Sequence, residues 1–154
     1  MSDRVEQIKG IEIFSSLKQA AVELIARIAH EENYSKGETL FHHGDPGDKL
    51  YLIVSGKVRI SREVPGMGEE ALAVLGPGQV FGEMALLDES PRSADARVHE
   101  KCELLSVSRD AFDDLLFLNK SLAYEVLWSI VHMLLGRLRQ TNDKLTFLSS
   151  SNKF

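Results

Sequence analysis

The fold is decided by residues 50–61, which read LYLIVSGKVRIS. A run of aliphatic and aromatic residues, 50–54, and an alternating Val-Arg-Ile-Ser run, 58–61, lie on either side of a Ser-Gly-Lys step. Such runs beside a glycine are typical of strands joined by a tight turn. We therefore predict a β-hairpin with its turn at residues 54–58.

Similar short runs of β-branched and aromatic residues, separated by glycines, continue outward from this hairpin, from Tyr34 to Ser106. Many short strands separated by glycines are typical of a β-sandwich, jelly roll or barrel. The predicted strands are residues 38–41, 50–54, 58–61, 71–75, 79–81, 96–99 and 102–107. They indicate a mainly-β fold with flanking helices, in which residues 34–107 form a β-roll of the double-stranded β-helix or jelly-roll kind.

Helical patterns flank the predicted roll. Apolar residues recur at helical spacing from Leu17 to about Glu32, after a possible capping box at Ser16 and Gln19, so residues 1–33 are predicted to be an N-terminal helical part.

Beyond the roll, Ser108 is placed to cap a short helix that reaches about Leu118, and a longer helix follows, so that residues 108–148 are C-terminal helices. A length of 154 residues with 44% apolar content indicates a single domain over residues 1–154.

Residues 81–94, which read FGEMALLDESPRSA, interrupt the series of predicted strands. A glycine leads into one turn of good helix formers, and a helix N-terminus presents free N–H groups to an anion. Arg92 adds a bidentate donor for the same anion. Glu83 would repel a phosphate unless it accepted hydrogen bonds from hydroxyl groups, and a ribose supplies these. The segment therefore predicts a site for a sugar phosphate.

Residues 81–87 and 91–94 closely resemble the phosphate-binding cassette of cyclic nucleotide-binding domains. Residues 40–45 and 50–58 also look like the opening strands of that family, and the resemblance covers about residues 10–148. It implies that Glu83 binds the ribose hydroxyl and Arg92 the cyclic phosphate. The ligand-binding residues that it implies in this segment are Phe81, Gly82, Glu83, Met84, Ala85, Arg92, Ser93 and Ala94.

The cassette leaves the choice of nucleotide open. Many eukaryotic members of the family carry Thr where this chain has Asp95, and a carboxylate there is expected to face solvent. Ser93 suits either a phosphate or a guanine base. We expect the ligand to be cyclic AMP, with cyclic GMP as the alternative. A second alternative is a protein-interaction subunit that keeps the cassette without binding a ligand.

The long helix carries a heptad pattern. Its seam residues are spaced alternately three and four apart, and this spacing predicts a homodimer through a coiled coil. They are Tyr124, Leu127, Val131, Leu134, Leu138, Thr141, Leu145 and Leu148. Two other interpretations stay open: the whole set covers the roll, or the seam binds another protein. A neighbouring stripe of Trp128, His132 and Leu135 is expected to pack on the roll.

Residues 138–145 resemble the dimerising helix of family members. The resemblance implies that Thr141 and Asn142 contact the nucleobase, although Thr141 also fits the seam and Asn142 a solvated position. It further implies that the ligand repositions the C-terminal helices, which would give a sensor two states.

Composition argues against several other functions. A net charge of −5 disfavours a nucleic-acid partner. Residues 149–154 leave no room for a DNA-reading helix-turn-helix, so we expect the chain to pass its signal to an unidentified protein.

The sequence also indicates a location. A single cysteine, Cys102, indicates the cytoplasm, and no apolar stretch approaches the roughly 20 residues of a membrane span. We predict no enzyme, cofactor or metal site, because the adjacent His42 and His43 would point to opposite faces of a strand.

Overall fold

The computed structural model of the chain describes residues 2–83, 88 and 90–151. Helices lie at both ends, and six strands lie between them. In chain order the elements are α1 (Ser2–Lys9), a 3₁₀ turn (Glu12–Phe14), α2 (Gln19–Ile28), β1 (Ala29–Tyr34), β2 (Thr39–Phe41), β3 (Lys49–Val64), β4 (Gly68–Leu75), β5 (Val80–Phe81), β6 (Asp95–Ser108), α3 (Arg109–Leu118) and α4 (Lys120–Ser151).

The strands form one antiparallel sheet that follows the order β1-β6-β3-β4, with β2 added to β6 and β5 added to β3. The two long strands, β3 and β6, pair along most of their lengths and form the backbone of the roll. The predicted fold class, a β-roll with an N-terminal helical part and a long C-terminal helix, is confirmed.

The predicted hairpin at residues 54–58 is wrong, because β3 runs through it without reversing. Gly56 has φ +85°, and a Cβ at this position would lie 2.1 Å from the carbonyl oxygen of Lys101 in β6. The register between β3 and β6 shifts on both sides of this point. The glycine therefore allows a close crossing where both strands turn a corner, and the predicted strands 96–99 and 102–107 are likewise parts of one strand, β6.

The first long helix ends earlier than predicted. Helix α2 stops at Ile28, and residues 29–34 form β1, whose Tyr34 pairs with Cys102 of β6. The predicted end near Glu32 is wrong because pairing with β6 overrides the helical spacing. The capping box is also wrong: Lys18 is the N-cap and makes no side-chain capping bond. By contrast, Ser108 caps α3 as predicted, since its Oγ accepts the N–H of Ala111 at 3.2 Å.

The core has two parts. One lies inside the roll and includes Ile53, Val98 and Leu104. The other lies between the roll and the helices and receives Val126 and Ile130 from the first half of α4.

The second half of α4 leaves the core, and residues 137–149 are exposed. The predicted packing of Trp128, His132 and Leu135 on the roll is wrong: Trp128 is 47% and Leu135 41% exposed. Leu122, Val126 and Ile130 are buried there instead. None of the helices in the described ranges is both long and apolar enough to cross a membrane.

Candidate ligand-binding site

A cavity of about 360 Å³ lies between the open end of the roll and helix α4. It brings together six of the sequence-predicted residues, which come from β5 and from the two ends of the 81–94 segment. These six are Phe81, Gly82, Glu83, Arg92, Ser93 and Ala94. The remaining walls come mostly from β2, β3, β4 and α4, so the cavity is formed by parts of the chain that are far apart in sequence.

Arg92 is a buried cation inside this cavity. The residue is only 7% exposed, and no ion pair joins it to a carboxylate in the described part of the chain. Burial lowers the pKa of its guanidinium, partly offset by the nearby Tyr51, Asp48 and Asp45. Because arginine nevertheless stays protonated, the site holds a positive charge that an anionic ligand would neutralise.

Backbone carbonyls and aromatic rings hold the Arg92 side chain in place. Nη2 donates to the carbonyl oxygen of Lys49 at 3.0 Å, and Nη1 donates to that of Gly82 at 3.4 Å. The guanidinium carbon lies 4.2 Å from the centre of the Phe41 ring, close enough for a cation–π contact. Nε is buried and has no hydrogen-bond partner among the described residues. Nε and the second N–H of each Nη are therefore not used by these two hydrogen bonds.

Phe41 belongs to an aromatic shelf, formed with Tyr51 and Phe81 beneath Arg92. Tyr51 and Phe81 stack with ring centres 4.9 Å apart, and Phe41 lies 6.1 Å from Phe81. The shelf was not predicted from the sequence. The alternating apolar residues of the strands signal burial, but they do not indicate that three rings meet or that two of them, Phe41 and Tyr51, lie under one guanidinium.

Gly82 is required by the position of Arg92. Its φ is +76°, and a Cβ there would lie 2.6 Å from Arg92 Nη1 and 3.0 Å from the carbonyl oxygen of Lys49. Any larger residue would displace the guanidinium. The group that approaches the backbone at Gly82 is the Arg92 guanidinium.

Glu83 is bound by a residue that sequence analysis missed. Arg137 of α4 donates to Glu83 Oε1 in a close ion pair. A usable signal existed: Arg137 continues the stripe of Ile130 and Met133 that faces the roll, and a cation in line with apolar core residues marks a change in what the helix faces. The contact links Glu83, the residue predicted to bind the ribose hydroxyl, directly to the long helix.

The four remaining predicted residues are of two kinds: two lie outside the described residues, and two are described but do not line the cavity. Met84 and Ala85, with the predicted helical turn, lie outside the described residues. Thr141 and Asn142 are exposed, and neither is among the described residues that line the cavity. Asp95 does not simply face solvent, because its Oδ1 accepts the N–H of His43 at 2.6 Å and so fixes a loop.

A family model described as "Cyclic nucleotide-binding domain" matches residues 31–119, more than half of the chain. The chain belongs to the cyclic nucleotide-binding domain family. This family is a regulatory binding domain and is generally not catalytic. In the described part of the chain, no three His, Cys, Asp or Glu side chains form a group that could hold a metal ion.

Relatives within this family have different ligands in their names. A protein of Thermus thermophilus named "Cyclic AMP receptor protein" is 41% identical over 92% of this chain and 64% of its own length. The crystal structure of Thermus thermophilus catabolite activator protein has a TM-score of 0.78 at 38% identity, over 90% of this chain and 63% of that one. A Toxoplasma gondii cGMP-dependent protein kinase is 32% identical over 71% of this chain and 10% of the kinase. The chain thus spans less than two thirds of the lengths of these proteins.

Proposed function

We propose that the chain is a sensor that binds cyclic AMP in the cavity and has no catalytic activity. The observation that carries this proposal is Arg92, a buried guanidinium with no carboxylate partner among the described residues. A buried cation of this kind is costly unless a ligand or hydrogen bonds compensate its charge. The single negative charge of a cyclic phosphate would do so.

The proposed contacts combine residues that line the cavity with residues implied by the family resemblance. Arg92 binds the cyclic phosphate, with backbone N–H groups at Gly82, Ser93 and Ala94 and, as implied by family resemblance, at Met84 and Ala85. Glu83 binds the ribose hydroxyl, and Phe81 closes the apolar floor. No cofactor takes part, and cyclic GMP is the alternative ligand. The name of the Thermus relative favours cyclic AMP.

Helix α4 is the proposed output element. An ionised carboxylate can accept several hydrogen bonds at once, so Glu83 can hold both a ribose hydroxyl and Arg137. Nucleotide binding would then fix the position of α4 through this shared carboxylate. The part of α4 beyond Met133, which packs little on the core, is the part free to be repositioned.

We also propose a homodimer through α4, because the heptad seam is exposed in the single chain, with Leu138 at 55%. In a parallel coiled coil, a g position lies beside the following e position of the other helix. With Leu138 at a, Arg137 is at g, and Asn142 of the partner subunit would be at the facing e position. The nucleobase contacts of Thr141 and Asn142 thus remain predictions for the dimer. An unidentified downstream protein and a cytoplasmic location also remain predictions.

Thermal unfolding tests the proposal. A ligand at about 100 times its Kd stabilises the protein that binds it by about 2.7 kcal/mol, so cyclic AMP should raise Tm by several degrees. The ligand control is 5′-AMP, whose open phosphate does not match the cyclic one, and the protein control is Arg92→Leu. A Tm that neither cyclic nucleotide changes would contradict the sensor and favour the ligand-free interaction subunit.

A further inference from the structure

Arg92 is held by its main chain as well as by its side chain. Its N–H donates to the carbonyl oxygen of Asp45 at 2.8 Å, and its carbonyl oxygen accepts the N–H of Gly44 at 2.8 Å. These two bonds pair Arg92 with the loop between β2 and β3, residues 42–48. The placement of this loop therefore bears on where the Arg92 side chain can reach.

Two carboxylates fix the shape and the placement of the loop. The N–H of His42 donates to Asp45 Oδ2 at 2.8 Å, which closes the loop on itself because the two residues are three positions apart. The N–H of His43 donates to Asp95 Oδ1 at 2.6 Å. This second bond ties the loop to the start of β6, 52 residues further along the chain.

The sheet places Asp95 at the base of this loop. Asp95 is the first residue of β6, and the next residue, Ala96, pairs with Phe41, the last residue of β2. The Asp95 side chain is 22% exposed, and its Oδ1 also lies 3.8 Å from Nδ1 of His42. Asp95 does not line the ligand cavity in the described structure. Its carboxylate therefore acts on the loop and not on a ligand.

We propose that Asp95 is a positioning residue for Arg92, an inference that rests on the proposed function. Asp95 follows Arg92 by three residues and holds the N–H of His43. The residue after His43, Gly44, bonds back to Arg92. These links form a closed ring, so loss of the Asp95 bond would leave the main chain of Arg92 paired with a loop that is less well fixed. The bond is charge-assisted, and such bonds are about twice as strong as neutral ones.

Equilibrium titration of three variants with cyclic AMP tests the assignment. Asp95→Ala removes the acceptor, whereas Asp95→Asn keeps an oxygen that can accept the same N–H. The matched control is Glu38→Ala. Glu38 Oε2 accepts the N–H of Ser35 at 2.8 Å in another turn, and this turn has no hydrogen bond to Arg92 in the described part of the chain.

A second pair of ligands reports how well the guanidinium is aimed. The two diastereomers of adenosine 3′,5′-cyclic phosphorothioate carry sulfur in place of one or the other exocyclic oxygen of the phosphate. A guanidinium held in one position favours one of these oxygens, because sulfur is the weaker acceptor. The ratio of the two dissociation constants therefore measures the aim of Arg92, and a general loss of affinity leaves that ratio unchanged.

We expect Asp95→Ala to weaken cyclic AMP binding about five- to tenfold, Asp95→Asn by less than about twofold, and Glu38→Ala not at all. The phosphorothioate ratio should move toward one in Asp95→Ala alone.

Three results would overturn the assignment while leaving the sensor intact: wild-type affinity in Asp95→Ala, equal losses in Asp95→Ala and Asp95→Asn, or a phosphorothioate ratio in Asp95→Ala that equals the wild-type ratio. Failure of the wild-type protein to bind any cyclic nucleotide would overturn the sensor proposal itself, and the assignment with it.

Discussion

At the scale of single residues, the site depends on how Arg92 is kept charged, buried and correctly aimed. Two backbone carbonyls accept two of its donors, and the ring of Phe41 lies under its guanidinium. A cation over a ring contributes about 0.5–1 kcal/mol when exposed and about 2 kcal/mol when desolvated. Phe41 is thus a positioning residue for the proposed phosphate contact.

Phe41→Leu should therefore weaken cyclic AMP binding. Loss of about 1–2 kcal/mol at a buried cation–π contact corresponds to a roughly 5- to 30-fold rise in Kd. Calorimetric titration measures it, with Phe117→Leu as the control because Phe117 is 73% exposed on α3. An unchanged Kd in Phe41→Leu would mean that the carbonyls alone position Arg92.

Some residues of the site could be predicted from the sequence, and others could not. Glu83 and Arg92 lie in one contiguous segment, so the chemistry of that segment and its family resemblance identified them, and the structure brings both to one cavity. Phe41 and Arg137 come from a strand and a helix far along the chain in either direction. Their roles depend on tertiary contacts with Arg92 and Glu83. The helical stripe marks Arg137 as a residue on the side that faces the roll, but it does not identify Glu83 as its partner.

At the scale of elements, β-branched and aromatic runs predicted where the strands are but not how they continue. The glycine that predicted a turn at residues 54–58 instead permits a close crossing of β3 and β6. Residues 29–32 follow a helical pattern by spacing, yet they pair with β6. Both errors have one cause: long-range strand pairing outweighs local propensity.

Gly56→Ala tests the crossing. A left-handed backbone costs about 1–2 kcal/mol for a residue with a Cβ. Here the added carbon would also lie 2.1 Å from a backbone oxygen, which no rotamer change relieves. The matched control is Gly37→Ala, with φ +91° and open space around its Cβ position. Chemical denaturation should show the larger loss of unfolding free energy for Gly56→Ala; equal losses would contradict the crowded corner.

Glu32 links β1 to its neighbours and should make stability depend on pH. Burial raises the pKa of this carboxyl, but hydrogen bonds from Ser106 and Tyr34 and the charge of Lys49, whose Nζ lies 3.7 Å away, outweigh it, so the pKa falls below 4.5. A lowered pKa adds stability above the unfolded-state value, and this stability is lost as pH falls through the folded-state value.

Glu32→Gln should accordingly be less stable than wild type at pH 7, by no more than about 1 kcal/mol because the side chain is partly exposed. The difference should shrink as pH falls below 4.5. Urea unfolding at several pH values measures it. A difference that stays constant down to pH 3 would show that packing, and not the carboxylate charge, is responsible.

At the scale of the whole molecule, helix α4 connects the cavity to an exposed surface of the chain. Its first half is buried on the core, and its second half carries the exposed heptad seam beside Arg137. A ligand that engages Glu83 therefore acts on the element proposed to hold two subunits together.

Leu138→Glu should convert a wild-type dimer into a monomer. Leu138 is at an a position of the proposed coiled coil, so the substitution would place two like charges across the proposed helix pair. Its 55% exposure means that the single chain loses little packing. Sedimentation velocity measures the change, with Arg139→Glu at the outward b position as the control. A dimer that survives Leu138→Glu would rule out the seam as its interface.

Calorimetric titration of nucleotide-free protein with cyclic AMP tests the claim that this chain binds a cyclic nucleotide through Arg92. We predict one site per chain with micromolar or tighter Kd in the wild type, and no measurable binding in Arg92→Leu, in which leucine keeps an apolar cover over Phe41. Absence of binding in a folded wild-type protein, or wild-type affinity in a folded Arg92→Leu variant, would contradict the claim.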